Sequence, residues 1–241
     1  MLKKYHEGIL YPENTSEMME KLEPIEKKER ARAIILPHQA FHLSSRLLSS
    51  GCSHISGSYS SVIILSPLHL SRVESDKNYS FFEGEANKEY NIVNLGAKIS
   101  EYYAEEEGAA EMLIPILNSI LPSTPISIIY GDIKTAKESK ELSLFLQKHS
   151  SSSTLFIIST NLSPLCNKVE EALSYKNEAI KALKNGDSIL DLMNKNKIKL
   201  CGGGLVDSLN RVVKGNWILE NRGTDNETTS HCVLWKKDEQ V

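Results

Sequence analysis

The chain has 241 residues, 40% hydrophobic and 24% charged, an ordinary globular composition long enough to bury a substantial core. Its formal net charge of −3 gives no basis for nucleic acid or an anionic membrane surface as a partner. No apolar run approaches the roughly 20 residues that span a bilayer, and the start from Met1 to Glu7 lacks the apolar stretch of a secretory signal.

Taken in chain order, short β-branched runs alternate with longer helical patterns. Ala33–Leu36 reads as a first buried strand ended by Pro37, and Ser61–Leu65 as a second ended by Ser66 and Pro67. The polar segment from Ser71 to Tyr90 reads as a long connection with room for a small hairpin. Ala109 to Leu121 follows with Met112, Leu113, Ile116, Leu117 and Ile120 at the spacing of one helix face. Ile126–Tyr130 is a third strand stopped by Gly131. A helix over Lys134–Lys148 leads to the strand Thr154–Ile158, and helices over Val169–Leu183 and Asp187–Met193 come next. Leu205, Val206, Leu209, Val212 and Val213 mark a further amphipathic helix. Two strands near Trp217–Glu220 and His231–Trp235 follow without a helix between them, which predicts an antiparallel hairpin at one edge. Continuous apolar runs fit strands covered on both faces. The predicted fold is therefore α/β, a three-layer α/β/α sandwich with a mixed central sheet, in one domain over residues 1–241.

A start without a secretory signal predicts a cytoplasmic chain, in which Cys52, Cys166, Cys201 and Cys232 are expected to be reduced. None forms a C-x-x-C pair, so a redox dithiol or zinc knuckle has no support. In open α/β sheets, ligands bind where loops leave the carboxyl ends of strands. Pro37-His38-Gln39, Pro67-Leu68-His69 and Ser159-Thr160-Asn161 are such loops, and two of them carry a histidine just beyond the strand. If those strands are parallel neighbours, both imidazoles reach one edge of the sheet. Cys201-Gly202-Gly203-Gly204 precedes the amphipathic helix, where unpaired N–H groups and the helix dipole favour a thiolate. Two imidazoles and a thiolate make a three-ligand set for Zn, Fe or Cu with a position left open. Each residue also has a plainer reading. A histidine after a strand is commonly a hydrogen-bonded loop residue, and the other cysteines default to small buried hydrophobes. The glycines suit a helix-start turn or an anion-binding nest equally well.

At these residues the chain resembles the MEMO family, the B-like component of the AmmeMemoRadiSam system. Gly8-Ile9-Leu10-Tyr11-Pro12 is similar to the family's G-x-F-Y-P, and Pro37-His38-Gln39-Ala40-Phe41 to its P-H-A-G-Y. Ser66-Pro67-Leu68-His69 matches G-P-x-H, and Glu107 to Pro115 matches E-H-S-x-E-x-x-x-P. Ser159 to Pro164 aligns with S-S-D-x-S-H, and Cys201-Gly202 with C-G. The resemblance implies a fold like that of class III extradiol ring-cleaving dioxygenases. It also implies one transition-metal ion, iron or copper ahead of zinc, held by His38, His69 and Cys201. AMMECR-type and radical-SAM proteins are the implied partners, in a redox or radical-linked role.

Departures from the pattern bear on the chemistry. The E-H-S histidine is Gly108, the Asp and His of S-S-D-x-S-H are Asn161 and Pro164, and the tyrosine of P-H-A-G-Y is Phe41. Acid–base chemistry on a metal-bound substrate needs titratable groups within hydrogen-bond reach. Asn161, at the family's Asp position, carries no charge and shuttles no proton, so no catalytic residue is assigned. His42 and His231 replace the lost groups only if the fold brings them in. The leading expectation is a MEMO-like metal-binding protein with weakened or absent dioxygenase or redox activity, leaning away from an enzyme without settling the point. One alternative is an active non-haem metal-dependent oxidoreductase of the extradiol type. The other is a metal-free scaffold whose cleft binds a peptide or partner protein.

Overall fold

The computed structural model describes residues 6–22, 25–69, 79–84, 91–93, 107–223 and 228–238. Its strands are β1 (Ala31–Leu36), β2 (Ser61–Pro67), β3 (Tyr79–Gly84), β4 (Asn91–Val93), β5 (Ile126–Gly131), β6 (Thr154–Ser159), β7 (Ile218–Asn221) and β8 (Val233–Lys237). They form one eight-stranded sheet in the order β4-β3-β5-β2-β6-β1-β8-β7. The middle of the sheet is parallel, β5 on β2, β2 on β6 and β6 on β1. Antiparallel pairs close both sides, β3 and β4 beyond β5, and β8 and β7 beyond β1.

Alternation along each central strand divides its side chains between two cores. Ile34, Leu36, Val62, Ile64, Ile128 and Ile157 point to one face. There they meet Met18 of α1 (Thr15–Lys21), Leu48 of α2 (Phe41–Cys52), and Leu113, Ile116 and Leu117 of α4 (Leu113–Ile120). Ile35, Ile63, Leu65, Ile129, Phe156 and Ile158 point to the other. Their partners are Leu142 and Leu146 of α5 (Ala136–His149), Leu183 of α6 (Val169–Asn185), Ile189 of α7 (Ile189–Asn194), and Leu205 and Leu209 of α8 (Gly203–Val212). The result is the expected α/β/α sandwich with a mixed sheet. Each fully buried Leu, Ile or Phe in these cores stabilises by about 1.5–3 kcal/mol over its exposed state.

Several elements depart from the sequence reading. The helix α2 was not expected, because Ser44, Ser45, Ser49, Ser50 and Gly51 give its segment low helix propensity. Burial of Phe41, Leu47 and Leu48 overrides that preference, and a side chain at Gly51 would run into Leu36 of β1, 2.3 Å from its new Cβ. The helix predicted over Ala109–Leu121 is two pieces, α3 (Gly108–Glu111) and α4, broken at Met112. Pro115 accounts for the break: it has no N–H to donate to the carbonyl four residues earlier, and its ring crowds that carbonyl. Of the segment Ser71–Tyr90, where a small hairpin was allowed, the described part is the single strand β3, which joins the main sheet between β5 and β4, the latter lying just beyond the segment. The rest of that connection lies outside the described residues. The C-terminal hairpin is present, and β8 joins it to β1. Finally, β1 and β2 are not neighbours, because β6 runs between them. No helix among the described residues is long and apolar enough to cross a membrane.

Candidate metal centre

Parallel pairing puts the carboxyl ends of β1, β6 and β2 side by side at one edge of the sheet. Three loops leave that edge. The chain turns out of β1 through Pro37 to His38, and out of β2 through Leu68 to His69. The loop leaving β6 lies between them and receives Cys201 from the far layer. There the Cys201 N–H donates to the Asn161 carbonyl at 3.2 Å, and the Thr160 hydroxyl donates to the Cys201 carbonyl. Two glycines make that approach feasible. Gly202 takes a left-handed conformation at φ +66 beside Pro67, and a Cβ on Gly204 would lie 2.1 Å from the Ile133 carbonyl oxygen. The glycine run therefore serves as a close-packed helix start, in agreement with the plainer of its two readings.

The rings of His38 and His69 meet edge to face with centroids 5.0 Å apart. Ligand-type atoms of His38, His69 and Cys201 all lie within 4.8 Å of one another, within reach of a single ion after small side-chain rotations. No other trio of His, Cys, Asp or Glu comes together in this way among the described residues.

Hydrogen bonds fix which nitrogen of each ring faces the site. His69 Nδ1 lies 3.0 and 3.1 Å from the two carboxylate oxygens of Glu107, which only accept, so Nδ1 carries the proton and Nε2 is turned to the site. The buried Glu107 carboxylate also accepts the His69 backbone N–H at 2.7 Å and the Ala109 N–H at 3.1 Å. His38 Nδ1 lies 3.1 Å from Ser159 Oγ, and that hydroxyl donates its own hydrogen to the Ala109 carbonyl at 2.6 Å. Ser159 can then only accept from the ring, so His38 also carries its proton on Nδ1. Such outer acceptors orient metal-binding imidazoles and raise their basicity. The segment 107–109 thus supports both rings, one directly and one through Ser159.

The electrostatics of the two rings diverge. Burial, reinforced by the neighbouring His69, lowers the His38 pKa to about 3. Hydrogen bonding to the Cys201 side chain and to Glu107 raises that of His69 to about 10, against the opposing effect of its partial burial. Burial alone would push the Glu107 carboxyl up, but the hydrogen bonds and charge of His69 outweigh it and hold the group below the usual carboxylate range. At neutral pH the metal-free site therefore holds a neutral His38, a protonated His69 and an ionised Glu107.

The remaining sequence candidates separate cleanly. Asn161 Oδ1 accepts the His38 backbone N–H at 3.3 Å and His231 Nδ1–H at 3.0 Å, so it ties the β1 loop to the C-terminal segment. His231 is buried and does enter the site. His42 does not: it is exposed on α2 and lines a separate surface cleft of about 250 Å³ with Gly8, Leu10 and Tyr11. Phe41 packs in the core, and its N–H donates to the Leu10 carbonyl at 2.7 Å. A Cβ on Gly108 would lie 3.2 Å from the His6 ring and 2.9 Å from Leu10 Cδ1. Cys52 and Cys232 are fully enclosed with thiol pKa values raised by burial, as their hydrophobic reading required.

Sequence reasoning placed Ser159 and Thr160 in the third candidate loop and gave neither a partner, whereas Ser159 supports His38 and Thr160 holds the Cys201 backbone. It quoted Glu107 only as part of a motif and gave it no partner. The one available signal was a carboxylate opening that motif, 38 residues from the histidine it supports. No family model matches the chain, and no curated protein matches it.

Proposed function

We propose that this chain is a divergent member of the MEMO family, a cytoplasmic protein that binds one transition-metal ion through His38, His69 and Cys201. Its ring-cleaving or redox turnover is weak or absent. The observation that carries this reading is the paired tautomer: Ser159 and Glu107 each hold an Nδ1–H, which leaves Nε2 as the ligand atom of each ring in a group that also holds Cys201. Two imidazoles and a thiolate suit Fe(II), Cu(I) or Zn(II), and the family resemblance puts iron and copper first. When bound, such an ion supplies Lewis acidity or a redox couple at an open coordination position.

What the protein's own residues do is hold and orient. Glu107 keeps His69 Nδ1 protonated and balances positive charge in the site. Asn161 spends its amide oxygen on His38 and His231 and has no proton to exchange at neutral pH. Among the described residues the one carboxylate touching the trio is Glu107, and it is committed to His69 and Ala109. Among the described residues this arrangement keeps a ligand set whose one adjoining carboxylate is already engaged. Anaerobic equilibrium dialysis against Fe(II), Cu(I) and Zn(II) tests the reading. One equivalent bound by the wild type and lost in Cys201→Ser is expected, and failure to bind any of the three metals stoichiometrically contradicts it.

One observation favours residual turnover. The buried His231 imidazole reaches Asn161 and brings an ionisable ring beside the trio. Oxygen uptake by the Fe(II)-loaded protein against a panel of catechols decides this. Turnover that falls in His231→Gln while bound iron stays constant would make the protein an active oxidoreductase. No uptake across the panel leaves the binding reading in place.

A further inference from the structure

Glu111 closes the short helix α3, one turn after Glu107, and is 3% exposed. It accepts three hydrogen bonds, all from an N-terminal turn: the His6 backbone N–H at 2.9 Å, His6 Nδ1–H at 2.9 Å and the Tyr11 hydroxyl at 2.7 Å. The turn is compact in its own right. Gly8 donates to the Tyr11 carbonyl, and Ile9 and Leu10 both donate to the His6 carbonyl. It grips two parts of the molecule. Leu10 accepts from Phe41, the first residue of α2 and the third after His38, while the His6 ring and Leu10 side chain close over Gly108. Gly108 sits between Glu107, which supports His69, and Ala109, which supports His38 through Ser159.

A buried carboxylate is costly unless its oxygens are well supplied with donors. At Glu111 the N-terminal turn supplies them, so the orientation of α3 and the seating of the turn depend on each other. A displacement of α3 moves Glu107 and Ala109 together, and with them both acceptors that set the ring tautomers.

We propose that Glu111 is a positioning residue for the His38–His69–Cys201 site: through the N-terminal turn it anchors, it fixes the acceptors of both imidazoles. Glu111 touches none of the three ligands, and it acts only through the segment 107–109. Its effect on metal affinity rests on the metal-binding reading, whereas its effect on the ring tautomers does not.

The test compares the full-length wild type with Glu111→Gln, and with the milder His6→Ala and Tyr11→Phe, which leave the carboxylate in place. Leu146→Ala, in the core on the opposite face, serves as a control for general loss of stability. Two readouts are taken: the slowly exchanging histidine Nδ1–H signals of the metal-free protein, by nitrogen-15 NMR, and the affinity for Co(II) alone, followed by its thiolate charge-transfer band. In Glu111→Gln the Nδ1–H signals of both His38 and His69 are expected to be lost to solvent exchange, and the Co(II) dissociation constant to rise about tenfold, the lower end for an outer partner of a metal ligand. His6→Ala and Tyr11→Phe are expected to shift both readouts in the same direction by less. Leu146→Ala is expected to lower the melting temperature and leave both unchanged. Signals and affinity at wild-type values in all three variants overturn the proposal, as does an equal change in Leu146→Ala. If the wild type takes up no Co(II), the metal-binding reading falls, and the Nδ1–H signals alone then sustain or overturn the role of Glu111.

Discussion

His38 and His69 leave parallel strands at the same edge of one sheet, yet their surroundings pull the two imidazoles apart. His38 follows β1, which is enclosed in the sheet between β6 and β8, and its ring rests on the neutral hydroxyl of Ser159. His69 follows β2, is exposed, and rests on the buried carboxylate of Glu107 beside Cys201. Burial and the neighbouring His69 strip the first ring of its proton, whereas the Cys201 side chain and the Glu107 carboxylate together give the second an extra one. The contrast shows that position on the sheet brings donors together, while burial and the charged or polar neighbours of each donor set its charge. A cation entering the site finds one imidazole ready and must displace a proton from the other.

Replacement of the thiol they share removes the contrast at its source. Cys201→Ser is expected to abolish stoichiometric metal binding, a larger loss than the roughly 10–100-fold typical of an outer partner. It is also expected to lower the pKa of His69, read by NMR titration, and leave that of His38 near its present value. Retention of one equivalent of metal would show that Cys201 is not a ligand.

The pH dependence of binding tests which ring carries the displaced proton. His69 titrates near 10 in the metal-free protein and His38 near 3, so between about pH 6 and 9 the proton comes from His69. Affinity is expected to rise by at least about tenfold per pH unit in that window, because the His69 ring proton and any proton on the Cys201 thiol must both leave, and calorimetry in buffers of different ionisation enthalpy counts the protons released. For the metal-free fold the two rings act with opposite sign. The raised pKa of His69 adds stability that is complete below about pH 6.5 and is lost as the pH climbs through about 10. The lowered pKa of His38 adds stability present above about pH 6.5 and lost as the pH falls toward about 3. Chemical denaturation of His69→Gln and His38→Gln across this range is expected to remove the alkaline and acid slopes respectively.

Glu107→Gln equalises the supports behind the two rings. Metal affinity is expected to fall about 10–100-fold, and the His69 pKa to drop toward its ordinary value, because an amide supplies no charge. Wild-type affinity in this variant would remove Glu107 from the account. Ser159→Ala makes the smallest change. It deletes the neutral support of His38 and leaves the Ala109 carbonyl without that hydroxyl, a cost of about 1–3 kcal/mol in urea denaturation. A decrease in metal affinity of about tenfold or less is expected with it, and no change in the pKa of His69.

The same contrast bears on what the sequence makes visible. The central strands are legible because Ser61–Leu65, Ile126–Tyr130 and Thr154–Ile158 are short, mostly apolar runs rich in Ile and Val, of the kind a sheet covered on both faces accommodates. Their order is not, and the insertion of β6 between β1 and β2 is what brings Ser159, Thr160 and Asn161 into the site. The helix α2 escapes a propensity reading because its close packing on β1 demands small residues such as Gly51. His38, His69 and Cys201 stand out through their neighbours Pro37, Pro67 and Gly202, which shape the loops locally. Glu107, Glu111 and His231 act over 38, 105 and 70 residues of chain on His69, His6 and Asn161, and no local pattern marks such pairs. The three ligand candidates were therefore readable, and the groups that set their protonation were not.

The donor set itself is the central claim, and X-ray absorption on anaerobically loaded protein reads it directly. One sulfur scatterer at about 2.3 Å and two imidazole nitrogens at about 2.0–2.1 Å are expected for the zinc-loaded form, with the sulfur lost in Cys201→Ser and one nitrogen lost in either His38→Ala or His69→Ala. A spectrum with only oxygen and nitrogen scatterers, unchanged by these three substitutions, would contradict the account.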